Sequence, residues 1–192
     1  PEGEDAEALL QPAIKKILAA AGDYCYGIDV PDLQTAAVQA LRQKGLTVAT
    51  AESCTGGLVA ARLTEVPGAS AVFGCGIVSY NNTVKAEVLG VDPAIIEQYT
   101  AVSAETAAAM AAAIRQKSGA AIGIGITGNA GPSASEGQPV GLVFVAVASE
   151  KYSHVSRLFI DRHDADARNL IRHFAALKAL SLILRAAGYY KE

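Results

Sequence analysis

Residues 46–64 read LTVATAESCTGGLVAARLT, and this stretch decides the fold. The apolar run Leu46–Ala51 has the length and β-branched content of a buried strand. Gly56 and Gly57 allow a sharp turn, and Gly56–Thr64 then carries apolar residues at helical spacing. A strand that passes through a tight turn into a helix is the repeating unit of a layered α/β domain. The turn itself is unusual, because Glu52, Ser53, Cys54 and Thr55 put an acid, a thiol and two hydroxyls where ordinary capping needs one polar side chain.

The same alternation extends outward. The strand candidates are Leu46–Ala51, Val72–Tyr80, Ala120–Thr127, Val140–Ala148 and Tyr152–Ile160. Helices are expected over Pro31–Gly45, Thr83–Leu89, a longer segment after Ser103, and Asp166–Ala187. The last of these should turn Leu170, Ile171, Phe174, Leu177, Leu180 and Leu184 inward. The short gap between the final two strands predicts a hairpin, so the sheet should be mixed. The expected fold is a three-layer α/β domain with a mixed, mostly parallel sheet flanked by helices, plus a small N-terminal helical and extended segment. In that segment Leu9, Leu10, Ile14, Ile17 and Leu18 recur at helical spacing, Gly22 offers a stop, and GDYCYGIDV (residues 22–30) reads as an extended link. Residues 1–30 thus read as the end of an upstream linker or small domain, and residues 31–192 as the main domain. The chain opens on Pro1 rather than Met, which reads as a fragment or a processed product.

Composition narrows the function. The chain has 192 residues, 51% hydrophobic and 18% charged, enough to bury a substantial core. A net charge of -3 with no basic run argues against nucleic acid as a partner. The odd set Cys25, Cys54 and Cys75, without CxxC spacing, fits a reduced cytoplasmic setting. The apolar run Val140–Ala148 is too short for a membrane span. A homo-oligomer is expected on general grounds.

Three loops follow predicted strands, where α/β folds present unpaired N–H groups to ligands: ESCTGG, SYNNTVK and TGNAGPSASEGQPVG. In the first, Ser53 or Thr55 could simply cap a helix, the helix N-terminus could bind a phosphate, or Ser53 or Cys54 could be a nucleophile with an oxyanion site of nearby amides. A nucleophile needs a base. His154, His163 and His173 lie late in the chain in settings typical of surface or capping residues. Lys85, after SYNN, becomes a candidate if burial favours its neutral form, although alone it reads as a solvated charge. Tyr80 equally fits a core tyrosine. In the third loop, Gly128, Gly131 and Gly137 with Pro132 and Pro139 predict a rigid backbone, and Ser133, Ser135, Glu136 and Gln138 add polar groups.

In order along the chain, AESCTGG, PGASAVFGCGIVSYNNTVKAEVLGV, AVS with its following helix, TGNAGP and PVG resemble the CinA C-terminal family, the nicotinamide mononucleotide deamidases. The resemblance covers about Gln34 to Gly188. It implies hydrolysis of the nucleotide's carboxamide to a carboxylate and ammonia by a serine–lysine mechanism, without metal or cofactor. By motif position it assigns the nucleophile to Ser53 and the base to Lys85, with Tyr80 as a third catalytic group. Cys54, Thr55, Gly56, Thr127, Gly128 and Asn129 then fall at the substrate, and Arg168, with Arg162 as its rival, is the candidate phosphate partner. An upstream CinA domain is the implied partner in a full-length chain. Where many members read TGIAGP and EKPVG this chain has Asn129 and Gln138, and the family's GDR motif becomes DRHDADAR. The alternative is a catalytically weak or silent nucleotide-binding or oligomerising module that supports the upstream domain.

Overall fold

The computed structural model describes residues 4–22 and 25–189. Asp23 and Tyr24, within the expected extended link, lie outside the described residues. The elements in chain order are α1 (Glu4–Ala21), α2 (Leu33–Lys44), β1 (Val48–Glu52), α3 (Leu58–Thr64), a 3₁₀ turn (Ala69–Ala71), β2 (Phe73–Val78), a π-helix (Val84–Leu89), α4 (Pro93–Tyr99), α5 (Ala104–Ser118), β3 (Ile122–Gly128), β4 (Leu142–Ala148), β5 (Ser153–Phe159) and α6 (Ala167–Ala186). The five strands form one sheet in the order β2-β1-β3-β4-β5. β1 is parallel to both β2 and β3, while β3–β4 and β4–β5 are antiparallel, so the sheet is mixed.

The sequence of β3, IGIGITG, sorts the layers. Successive side chains of a strand face opposite ways. Ile122, Ile124 and Ile126 enter the larger core with α2 and α6, alongside Val143, Val145 and Val147 of β4. The alternate positions, Gly123 and Gly125, face α5. A Cβ at Gly125 would lie 2.3 Å from the carbonyl oxygen of Ala107, and one at Gly123 would lie 2.1 Å from that of Ala111. The helix therefore rests directly on strand backbone, which explains both the glycines and the alanine run of α5. Ala107, Ala111 and Ala146 close that contact.

Several boundaries depart from expectation. The sequence reading has no element at Pro93–Tyr99, yet Asp92 caps α4 by accepting the Ala94 N–H at 2.9 Å and Pro93 occupies its first turn. α3 starts at Leu58 rather than Gly56, because Gly56 and Gly57 both adopt left-handed backbone with φ of 60° and 92°. In α6, Phe174 points outward and is 44% exposed, while Ala175, Ala176 and Ala179 fill the face against the sheet. Small residues there let α6 approach closely, which leaves no room for a phenyl ring. The apolar stripe of α1 is exposed at Leu9, Leu10 and Ile17. Among the described residues no helix is long and apolar enough to cross a membrane.

Candidate active site

β1 ends at Glu52, and the chain must reverse within a few residues to begin α3. Glu52 holds that turn together. Its buried carboxylate accepts the N–H groups of Gly57 and Val59 at 3.1 Å and of Ala60 at 2.9 Å, with the Thr50 hydroxyl at 3.3 Å. These are the donors that a helix N-terminus leaves unpaired. The protein's own carboxylate thus occupies the place where a ligand phosphate at α3 would sit. On the far side of the turn, Arg172 of α6 donates to the Thr55 carbonyl at 3.0 Å.

The turn fixed in this way presents Ser53. Its N–H donates to Ile126 of β3 at 2.9 Å, and its side chain is 8% exposed at the floor of a cavity of about 520 Å³. Lys85 reaches it from the π-helix, with Nζ donating to Ser53 Oγ at 3.4 Å and to the Tyr80 carbonyl at 3.3 Å. The Lys85 side chain is 1% exposed. Burial strips water from the ammonium and pulls its pKa below the usual 10.5, opposed in part by the negative charge of Glu136 and then by Cys54. A lysine with its amine on a serine hydroxyl and a lowered pKa has the geometry of a general base.

Cys54, the rival nucleophile, is 6% exposed, and burial pushes its thiol up to about 12. The Cys54 and Thr55 N–H groups and Arg172 lower it, and Glu52 raises it, without reversing the effect of burial. A thiol so high is protonated at neutral pH and is a poor nucleophile. The N–H of Cys54 has no backbone carbonyl partner among the described residues, and Cys54 lines the cavity beside Ser53.

The remaining residues singled out in the sequence fall into two sets. Tyr80, Thr127, Gly128, Asn129 and Arg168 line the same cavity as Ser53, Cys54 and Lys85. Thr127 donates its hydroxyl to the Ala101 carbonyl, and Asn129 spends its side chain inside its own loop, donating to Ser133 and Gln138 carbonyls at 3.1 Å and accepting the Gly131 N–H at 3.0 Å. Arg168 spans the mouth, donating to the Gly131 carbonyl and, at 3.1 Å, to the Tyr80 hydroxyl. Thr55 and Gly56 do not line the cavity. Thr55 is fully buried with its hydroxyl unpartnered, and Gly56 serves the turn. Arg162 pairs with Asp164 on the surface. Arg172, Ala101 and Asn82 were given no role by the sequence because each acts through contacts distant in the chain, whereas Glu52 acts through the backbone of the helix that follows it.

A second hollow, of about 1210 Å³, lies between α2, α6 and β5 and is lined largely by apolar groups such as Leu158, Phe159 and Leu177. It contains none of the candidate site residues. Among the described residues no three His, Cys, Asp or Glu side chains converge as a metal site requires.

Residues 31–187 match the profile of the CinA C-terminal domain. A CinA-like protein of Desulfovibrio desulfuricans is 47% identical over 146 residues, covering 76% of this chain and 34% of that protein. A CinA-like protein of Kosmotoga olearia is 41% identical over 184 residues, covering 95% of this chain and 44% of that protein. The chain spans less than half the length of these curated relatives. Among solved structures, the competence/damage inducible protein CihA of Agrobacterium tumefaciens superimposes with a TM-score of 0.74 at 34% identity, over 83% of this chain and 98% of that one. A competence-damaged protein (CinA) superfamily protein of Escherichia coli does so with a TM-score of 0.73 at 29% identity, over 86% and 97%. By sequence and by fold, the chain belongs to the CinA C-terminal domain family.

Proposed function

We propose that this domain hydrolyses the carboxamide of nicotinamide mononucleotide to nicotinate mononucleotide and ammonia. The observation that carries this reading is the buried Lys85 amine 3.4 Å from Ser53 Oγ at the base of an open cavity. In the first half-reaction neutral Lys85 takes the Ser53 proton as Oγ bonds to the amide carbon. The resulting oxyanion is held by the N–H of Cys54, which lines the cavity beside Ser53, at about 3 kcal/mol. The carbon–nitrogen bond then breaks, and the nitrogen leaves as ammonia with the proton that Lys85 had taken. In the second, Lys85 takes a proton from water, whose oxygen attacks the acyl ester. The proton returns to Ser53 Oγ as the carboxylate departs. Arg168, at the mouth, is placed to meet the phosphate of a ligand whose carboxamide reaches Ser53.

Ammonia release from nicotinamide mononucleotide by the purified protein tests this reading. Ser53→Ala and Lys85→Ala should each lower the rate by about 10³-fold or more while leaving the circular dichroism spectrum intact. A wild-type protein that releases no ammonia would instead support the silent nucleotide-binding module.

A further inference from the structure

Much of one wall of the cavity is a strap, residues 129–141, that connects β3 to β4. Residues 132–137 of the strap are exposed, so apolar burial does not hold it down. It is internally braced. Asn129 gathers the carbonyls of Ser133 and Gln138, and Ser135 pairs with Gln138 through reciprocal backbone hydrogen bonds of 2.9 and 3.3 Å. A segment braced in this way tends to shift as a unit.

One carboxylate fastens the strap to both neighbouring loops. Glu136 Oε2 accepts the N–H of Ala101, in the loop ahead of α5, at 2.7 Å. Its Oε1 accepts Nδ2 of Asn82 at 3.2 Å, in the loop that leads into the π-helix of Lys85. Ala101 is itself anchored, since its carbonyl receives the Thr127 hydroxyl from the end of β3. Glu136 makes these contacts from a left-handed backbone with φ of 51°, which is unfavourable for a residue with a side chain and persists where surrounding contacts compensate.

We propose that Glu136 is the latch of the strap: gripping Ala101 and Asn82 holds the strap as the wall of the cavity beside Ser53 and Lys85, and releasing them loosens that wall and weakens its hold on a ligand. Glu136 is a positioning residue in this scheme, since it acts through the loops rather than on the reacting atoms. The same charge also bears on the proposed hydrolysis, and this part of the inference rests on that reading. The titratable and charged groups sharing the cavity with Lys85 are Cys54 from the turn after β1, Tyr80 from the loop after β2, Arg168 from α6, and Glu136 from the strap. Glu52 is engaged at the N-terminus of α3. Of these, Glu136 is the carboxylate that favours the protonated amine, so removing its charge makes Lys85 easier to deprotonate.

The test compares Glu136→Ala with Glu136→Gln in the full chain. Glu136→Gln keeps an acceptor for Ala101 but loses the charge, whereas Glu136→Ala loses both. Hydrogen–deuterium exchange of the Ala101 amide and of the strap, in protein without ligand, should accelerate by about 10-fold or more in Glu136→Ala and much less in Glu136→Gln. Unchanged exchange in Glu136→Ala, with an unchanged melting temperature, would overturn the latch. Against nicotinamide mononucleotide, Glu136→Ala should raise KM several-fold, while Glu136→Gln should move the acid limb of the kcat/KM profile to lower pH. An inactive wild type would remove the hydrolase reading, and the exchange data would still decide the latch. An active wild type with both variants matching its KM, pH profile and exchange would remove the latch alone.

Discussion

Glu52, the last residue of β1, accepts the backbone N–H of Ala60 in the first turn of α3 at 2.9 Å. The same carboxylate accepts two more N–H groups of that helix start, so strand and helix are joined by a charge rather than by a cap from the turn. The turn is then free to direct Ser53 into the cavity. Glu52→Gln keeps the shape but replaces one acceptor oxygen with a donor that faces N–H groups. It should destabilise the domain by about 3 kcal/mol, which for a chain of this size lowers the melting temperature by roughly 6–12 °C. A melting curve superimposable on wild type would show that Glu52 does not hold the turn.

The thiol beside the nucleophile should be inert. With its pKa pushed up to about 12 by burial, Cys54 is almost entirely thiol at pH 8 and is also shielded. Cys25 and Cys75 are partly exposed. Brief alkylation of the native protein with iodoacetamide, followed by peptide mass mapping, should label Cys25 and Cys75 and leave Cys54 unmodified until the chain is unfolded. Labelling of Cys54 at the rate of the other two would mean that the thiolate is accessible and would return Cys54 to contention.

Lys85 ties stability to pH in a definite direction. Its pKa is lowered in the folded state from 10.5, so between the lowered value and 10.5 the unfolded chain binds more protons than the folded one. Stability attributable to this group therefore rises with pH across that window, and below it the buried charge is a fixed penalty. Chemical denaturation of wild type and Lys85→Met from pH 6 to 10 should show wild type gaining on the variant as pH increases, by about 1.4 kcal/mol for each unit of pKa depression. A constant difference across the range would mean that the buried amine titrates like one in water.

The layers of this fold were legible because they are written in local pattern. IGIGITG in β3 alternates large and absent side chains, and the alanines of α5 supply the small surface that the glycines require. α4 was missed although Asp92 and Pro93 announce a helix start, because none of its residues is buried and the apolar periodicity that marks longer helices is absent. The site was harder to read. Ser53 and Lys85 stand 32 positions apart, and nothing in local periodicity brings them together; the resemblance to a family did so. Glu52 and Glu136 look like ordinary acids until folding brings their N–H and amide partners to them, some adjacent in the next helix and some 35 or 54 residues away.

The hydroxyl of Tyr80 and the amine of Lys85 have separate engagements. Lys85 bonds to Ser53 Oγ and to the Tyr80 backbone carbonyl, whereas the Tyr80 hydroxyl receives Arg168 at 3.1 Å and its side chain is largely exposed. Under the proposed hydrolysis a direct proton path from Ser53 to Lys85 needs no phenol between them, and the contribution proposed for the tyrosine is to steady the guanidinium at the mouth. If the ligand carries a phosphate to that guanidinium, Tyr80→Phe should raise KM for nicotinamide mononucleotide by about 3–10-fold, consistent with one hydrogen bond of roughly 1 kcal/mol, while turnover stays within about 3-fold of wild type. Arg168→Ala should raise KM further, and the double variant should show less than the product of the two single effects, because both act through one contact. Turnover slowed by about 100-fold or more in Tyr80→Phe, with KM unchanged, would instead place the phenol on the proton path.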